Sequence, residues 1–272
     1  MTIKPTTFVK EHAPWSVSKA DTAKQCPHRF YLKYIVKKKV DLPPNADALI
    51  GQAVHRAVEF ALSGRPVDKS FKFAIEEFKL TSNEIERARA LIPATQNFLR
   101  KFNHYCKKHN ANTPKMEQRF GIDFEGNPVE FFNNKGFLRG VIDLYMTFKG
   151  TRNAVILDHK TGKHRALHYF RNQFNAYILL LKANSPELEG IQTGINFLKE
   201  DTIEFVKGLQ DVRDVQPIFE EIVQFLNEST KEAHKHELVR PGPLCGWCDY
   251  QHICPAHADG TNGSKEKEQG TH

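Results

Sequence analysis

The sequence predicts an α/β architecture, a mixed sheet flanked by helices. Three observations predict it. Residues 16–110 carry apolar positions at helical spacing among many charges. Residues 116–160 change character, to apolar runs parted by turns rich in Gly and Asn. Residues 167–236 return to helical spacing, interrupted by two short strand-like runs. At 272 residues and 40% hydrophobic content, the chain is long enough to bury a sizeable core.

In chain order, Ser18-Lys19-Ala20-Asp21 reads as a capping-box start with Asp in place of Glu, opening a helix toward Cys26-Pro27. An aromatic, basic stretch follows from His28 to Tyr34, and Lys37-Lys38-Lys39 with Pro43-Pro44 reads as an exposed linker. Asn45 is placed to cap a second helix, which Gly64 ends and which carries His55 in its middle. Residues 69–110 read as amphipathic helix with a break near Pro93. Strands are expected at 116–123, 129–132, 137–148 and 154–160, then a helix at 167–183. Two more strands are expected at 191–198 and 202–206, and a last long helix from Val212 to about His236. The organisation expected is one domain over residues 1–257: a helical part at 16–110, a core at 115–236 and a cysteine-bearing segment at 240–257. The polar, charged stretch 258–272 is expected to be disordered.

A net charge of +7 favours a polyanionic partner, though many basic proteins bind none. No run of about 18 apolar residues exists, so no membrane span is expected. No signal-like apolar core opens the chain, which points to an intracellular, cytoplasmic protein. Without a GxxxxGK[ST] string the chain carries no P-loop motor.

Four strings carry chemistry: Gly51-Gln52-Ala53-Val54-His55, Gly140-Val141-Ile142-Asp143, Asp158-His159-Lys160 and Gln173-x-x-x-Tyr177. Lys149 to Asn153 reads as the turn of a hairpin, which sets Asp143 opposite Asp158 within one residue. Directly opposed side chains stand about 5 Å apart at Cβ. Two carboxylates so close repel each other unless a cation lies between them. Strand alternation puts Lys160 on the face of Asp158 and turns His159 away. Such a set suits metal-assisted phosphodiester hydrolysis, with carboxylates holding Mg²⁺ or Mn²⁺ and Lys160 orienting or deprotonating the attacking water. His55 can add a nitrogen ligand, or be an ordinary helix histidine packed beside Gln52 and Glu59. Asp-x-Lys alone is a weak string, but both acids adjoin apolar runs where an idle carboxylate is costly. Gln173 and Tyr177 share a helix face and can meet a base, sugar or phosphate, or simply face the core. Lys163, His164, Arg165 and Arg171 lie close by as candidate phosphate contacts or a solvated basic loop.

Cys245-x-x-Cys248-x5-Cys254 has the spacing of ligands, and Cys26 can supply a fourth. Four thiolates fit Zn²⁺ or a [4Fe–4S] cluster, and spacing does not separate the two. Trp247, Tyr250 and His252 are expected to pack around this site, with His252 as an alternative ligand. Cys106 falls within a helix as a packing residue.

These strings, in this order, resemble the PD-(D/E)xK nuclease superfamily, and within it the RecB-like branch with its CRISPR-associated (Cas-four-type) and phage-borne exonucleases. The resemblance spans roughly Ser16 to Ala256. One departure is Ile142 before Asp143, where the family name has Pro. The resemblance implies a restriction-endonuclease-like core in which His55, Asp143, Asp158 and the backbone carbonyl of His159 hold Mn²⁺ or Mg²⁺. It implies Lys160 as catalytic with both acids, and Gln173 and Tyr177 as substrate contacts. It also implies a structural [4Fe–4S] cluster on Cys26, Cys245, Cys248 and Cys254. The implied activity is exonucleolytic cleavage of single-stranded DNA ends by a monomer or homo-oligomer, alone or beside a separate helicase or integrase. Other readings are a structure-specific endonuclease with the same site and a catalytically silent DNA-binding or assembly subunit. A zinc-binding interaction module leaves the two acids and the amine unexplained.

Overall fold

A computed structural model describes residues 3–40 and 45–257. The expected linker at Pro43-Pro44 and the expected disorder at 258–272 lie outside these residues. In chain order the helices are α1 (Thr7–Glu11), α2 (Val17–Gln25), α3 (Pro27–Phe30), α4 (Ala46–Leu62), α5 (Val67–Phe78), α6 (Ser82–Arg89), α7 (Ile92–Lys108), α8 (Arg171–Asn184) and α9 (Gln216–Thr230). The strands are β1 (Lys115–Ile122), β2 (Pro128–Val129), β3 (Leu138–Thr147), β4 (Asn153–Lys160), β5 (Gly190–Phe197), β6 (Thr202–Phe205) and β7 (Gln210–Asp211). The described residues divide into two compact units, 3–17 with 45–227 and 18–40 with 228–257.

The first unit holds the expected mixed sheet, in the order β2-β1-β3-β4-β5-β6, with β7 pairing β5. All pairs are antiparallel except β4 with β5. That parallel pair needs a crossover, and α8 supplies it. Being central and covered on both faces, β4 reads as an unbroken apolar run, and Ala154 to Leu157 are all buried. Helix α4 starts because the Asn45 side chain accepts from the amides of Asp47 and Ala48. Its Ile50, Ala53, Val54, Ala57, Val58 and Ala61 recur at helical spacing and are buried. They join a core with Phe71 and Ala74 of α5, Phe98 and Phe102 of α7, and Leu144 and Leu157 of the sheet.

Several boundaries differ from those expected. Helix α2 begins at Val17, which places Ser18 inside its first turn. The 69–110 stretch is three helices, because Lys79 adopts a left-handed φ of 52° and Thr81 and Glu84 form a capping box. The second break falls where expected, with Pro93 in the first turn of α7. The expected strand at 129–132 stops at Val129. The Asn133 amide donates to the Glu130 carbonyl and closes a turn that takes Phe131 and Phe132 out of the sheet. The last helix begins at Gln216, whose amide donates to the Asp214 carboxylate, and ends at Thr230. No helix among the described residues is long and apolar enough to cross a membrane.

The second unit contains α3, a π-turn at Tyr31–Ile35 and three short 3-10 turns at Pro243–Trp247, Gln251–Ile253 and Pro255–His257. Its two chain segments are joined by the His28 amide donating to the Leu238 carbonyl at 3.1 Å, by His28 Nδ1 to the His236 carbonyl at 2.7 Å, and by Tyr31 stacked on His236.

Candidate functional site

The β3–β4 hairpin turns through Gly150, at φ +75°. Its pairing register closes with Leu144 opposite Leu157. The next residue on each strand is an acid, Asp143 and Asp158, and there the paired stretch ends. Asp143 Oδ2 instead accepts the His159 amide at 2.8 Å, which holds the carboxylate at the mouth of the gap. Lys160, two residues beyond Asp158 on the same face, brings Nζ to 2.6 Å from Asp158 Oδ2. Its ammonium also lies over the Phe170 ring at 5.6 Å.

Two glycines lie where helices approach this edge. A Cβ on Gly51 would stand 3.2 Å from Thr161 Oγ1, a tight contact that marks how closely α4 approaches the end of β4. One turn later, His55 Nδ1 lies 3.4 Å from Asp143 Oδ2. A Cβ on Gly140 would meet Leu180 Cδ1 at 2.9 Å, so α8 packs closely on β3 there and any side chain would have to displace the Leu180 methyl. From α8, Gln173 Nε2 donates to Asp158 Oδ1 at 2.8 Å, and the Tyr177 hydroxyl donates to the same oxygen at 3.1 Å. The expected substrate contacts Gln173 and Tyr177 are thus turned onto the acid. Tyr177 is buried, so its ring offers no open face to a base. His159 does point to the other face, packed edge-on against Phe98 with Asn196 Nδ2 donating to its Nδ1.

A residue absent from the sequence reading completes the cluster. Glu117 of β1 offers a carboxylate oxygen that lies with ligand atoms of His55 and Asp143 inside a sphere of mutual distances under 4.8 Å. Its backbone is left-handed, φ +49°, in the middle of a strand. Such a conformation costs on the order of 1–3 kcal/mol in a non-glycine residue and gathers at functional sites. A cavity of about 700 Å³ opens beside His55 and Glu117, with Gln52, Arg56, Arg119 and Thr161 also in its walls.

The electrostatics fit a cation-binding set. Burial, then the charge of Asp158, raises the Asp143 carboxyl well above its ordinary range. Burial, with Glu59 nearby, likewise raises Glu117. Burial lowers His55, which keeps its imidazole neutral and able to donate a lone pair to a metal. Tyr177 is raised by burial and by Asp158, so it stays a phenol donor. Two carboxyls that resist ionisation beside a neutral imidazole form a site that a divalent cation stabilises.

Among the basic residues expected to meet phosphate, two are engaged elsewhere. His164 Nε2 lies 2.6 Å from Glu204 Oε1, and Arg171 makes two bonds to Glu221. Lys163 and Arg165 are exposed.

In the second unit, Cys26, Cys245, Cys248 and Cys254 line one cavity of about 260 Å³. The Arg29 amide donates to Cys26 Sγ at 3.5 Å and the Gly242 amide to Cys245 Sγ at 3.3 Å. Tyr250 lines this cavity, whereas Trp247 and His252, expected around it, are exposed. His257 lines it instead, with a buried Nε2 that has no hydrogen-bond partner. Cys106 sits half-buried on α7 with Sγ 3.7 Å from Met146 Sδ.

Residues 14–255 match the model of the PD-(D/E)XK nuclease superfamily. No curated protein matches the chain. Among solved structures the chain is similar to one described as "Putative exonuclease" from Eubacterium rectale, at 13% identity and a TM-score of 0.46, over 86% of each chain. It is also similar to SSO0001, at 16% identity and a TM-score of 0.33, over 81% of this chain and 91% of that one. Because that family match spans most of its length, the chain belongs to the PD-(D/E)XK nuclease superfamily.

Proposed function

We propose that this chain is a divalent-metal-dependent deoxyribonuclease of the RecB-like type, acting on single-stranded DNA ends and carrying a structural [4Fe–4S] cluster. The observation that carries the catalytic reading is the gathering of Asp143, Asp158, Lys160 and His55 within ion-pair and hydrogen-bond reach of one another or of shared neighbours. The preference for single-stranded ends rests on the resemblance to RecB-like exonucleases.

His55, Glu117, Asp143 and Asp158, with the carbonyl of His159, are the groups that would hold Mn²⁺ or Mg²⁺. The ion, when bound, polarises a phosphoryl oxygen and makes water acidic near neutral pH. Lys160 presents its ammonium where negative charge grows on the phosphate, and Asp158 holds it there. Gln173 and Tyr177 fix the free rotation of the Asp158 carboxylate by occupying Oδ1, which leaves Oδ2 directed at Lys160. They act as positioning residues. Glu117→Gln is expected to weaken Mn²⁺ binding about ten-fold or more, a ligand charge having been removed, as read by calorimetric titration. Unchanged affinity would remove Glu117 from the ligand set.

Support for the cluster comes from the four thiols lining one cavity and from backbone amides that donate to two sulfurs, a common feature around iron–sulfur centres. Cys245→Ala is expected to lose the brown colour of anaerobically purified protein and to lower its melting temperature. Colourless wild-type protein carrying one zinc per chain would overturn the cluster.

The experiment for the whole reading is digestion of single strands labelled at either end, with Mn²⁺, Mg²⁺ or EDTA. Metal-dependent shortening from an end supports it; internal cuts at junctions would favour a structure-specific endonuclease.

A further inference from the structure

Beyond the metal-binding acids, the β1–β3 pair continues away from the site, and its register gives that continuation a definite content. Arg119 pairs with Val141 and Gly121 with Arg139, so Arg119 and Arg139 stand on the same face at successive levels. Each level lies about 7 Å further along the strand than the one before. Arg119 shares the wall of the cavity that His55 and Glu117 line, so the series begins at the candidate active site.

Both guanidiniums lie over one ring. Arg119 Cζ is 5.8 Å and Arg139 Cζ 5.3 Å from the centre of Phe131. Phe132 meets Phe131 edge to face at 5.0 Å and is 75% exposed, more than any other large hydrophobic side chain among the described residues. No acid forms an ion pair with either arginine among the described residues, although most other arginines near the sheet have one. The turn at 131–133 that breaks the expected strand is what lifts this pair of rings out of the sheet. Its packing on the arginines holds both the charges and the exposed ring in place.

Two guanidiniums at strand spacing, neither in an ion pair among the described residues although Arg119 lies near enough to Glu117 to lower its carboxyl, end in an exposed aromatic face and match the repeating chemistry of a single nucleic-acid strand. The charges meet successive phosphates, and the ring stacks on a base. An acidic protein would use the charges and leave the bare ring unexplained. We propose that Arg119, Arg139 and Phe132 form a track that holds the single strand a few nucleotides away from the scissile phosphate. The track rests on the nuclease reading above and adds where the strand runs.

The test is fluorescence anisotropy of a labelled single-stranded oligodeoxynucleotide in EDTA, so that nothing is cut. Phe132→Ala is expected to weaken binding about ten-fold, within the range for loss of one base–aromatic stack. Phe132→Tyr keeps the ring and should bind as wild type does. Arg139→Gln is expected to weaken binding and to reduce the slope of log affinity against log salt by about 0.7, one phosphate contact on a single strand. Circular dichroism on each variant checks the fold. Equal binding by wild type, Phe132→Ala and Arg139→Gln overturns the track, as does equal weakening by Phe132→Ala and Phe132→Tyr. Wild-type protein is assayed in parallel for Mn²⁺-dependent cleavage. Cleavage with unchanged variant affinities sinks the track alone, whereas wild type that neither binds nor cuts DNA sinks both readings.

Discussion

Lys160→Ala and Asp158→Asn should each lower Mn²⁺-dependent cleavage of single-stranded DNA by about 10³-fold or more, while both proteins stay folded. The size of the effect follows from what each atom does. Lys160 is the sole ammonium within 4 Å of Asp158 among the described residues, and in the proposed mechanism it offsets the charge that grows on the phosphoryl oxygens. Removing it leaves Asp158 bonded through Oδ1 to Gln173 and Tyr177, and circular dichroism checks that the loss of the Oδ2 ion pair does not unfold the protein. Asn at 158 can accept those same two bonds with its carbonyl oxygen, but it carries no charge for a cation or for Lys160. The pair is therefore a sharper probe than alanine at 158, which would strand buried donors at a cost of about 1–3 kcal/mol. Residual cleavage above a few per cent of wild type, in protein free of contaminating nuclease, would show that the chemistry lies elsewhere.

Asp143→Asn should have two opposite effects, a loss of cleavage and a gain in stability of the metal-free protein. Burial and the neighbouring Asp158 charge raise the folded Asp143 carboxyl well above its unfolded value. The folded state thus holds this proton more tightly than the unfolded chain does. Stability from this group is present at pH below the ordinary carboxylate range, and it is lost as pH rises through the raised folded value. At neutral pH, metal-free wild type carries the penalty and the Asn variant does not. A relief of about 1 kcal/mol would raise the melting temperature of a domain of this size by about 2–4 °C. The Asn side-chain oxygen can still accept the His159 amide. Added Mn²⁺ should reverse the ranking by stabilising wild type and not the variant. Melting curves in EDTA and in Mn²⁺, across pH, check both statements. An Asn variant that melts lower than wild type in EDTA at neutral pH would refute them.

Much of this site was legible in the sequence because strands and helices have fixed periods. Alternation places Asp158 and Lys160 together and His159 away, and the Gly150 turn sets the hairpin register that brings Asp143 across. The four-residue spacing on α4 carries His55 from the close approach at Gly51 to Asp143. What escaped depends on long-range register or local backbone strain. Glu117 reaches the cluster only because β1 pairs with β3 and because its own φ is left-handed, and neither is written in the residues around it. Helical spacing showed that Gln173 and Tyr177 share a face, but not that the face meets Asp158 instead of solvent. His164 and Arg171 looked free for phosphate because Glu204 and Glu221, 40 and 50 residues away, are invisible to local reading. Phe131 and Phe132 read as strand by composition, and a single turn hydrogen bond from Asn133 overrode that preference.

The most direct measurement is diffraction from a crystal soaked in Mn²⁺, with data collected at the manganese absorption edge. An anomalous peak bonded to the Asp143 carboxylate and His55 Nδ1, and absent from an Asp143→Asn crystal, is the predicted result. A well-occupied manganese elsewhere in the molecule, with those two residues left unligated, would contradict it.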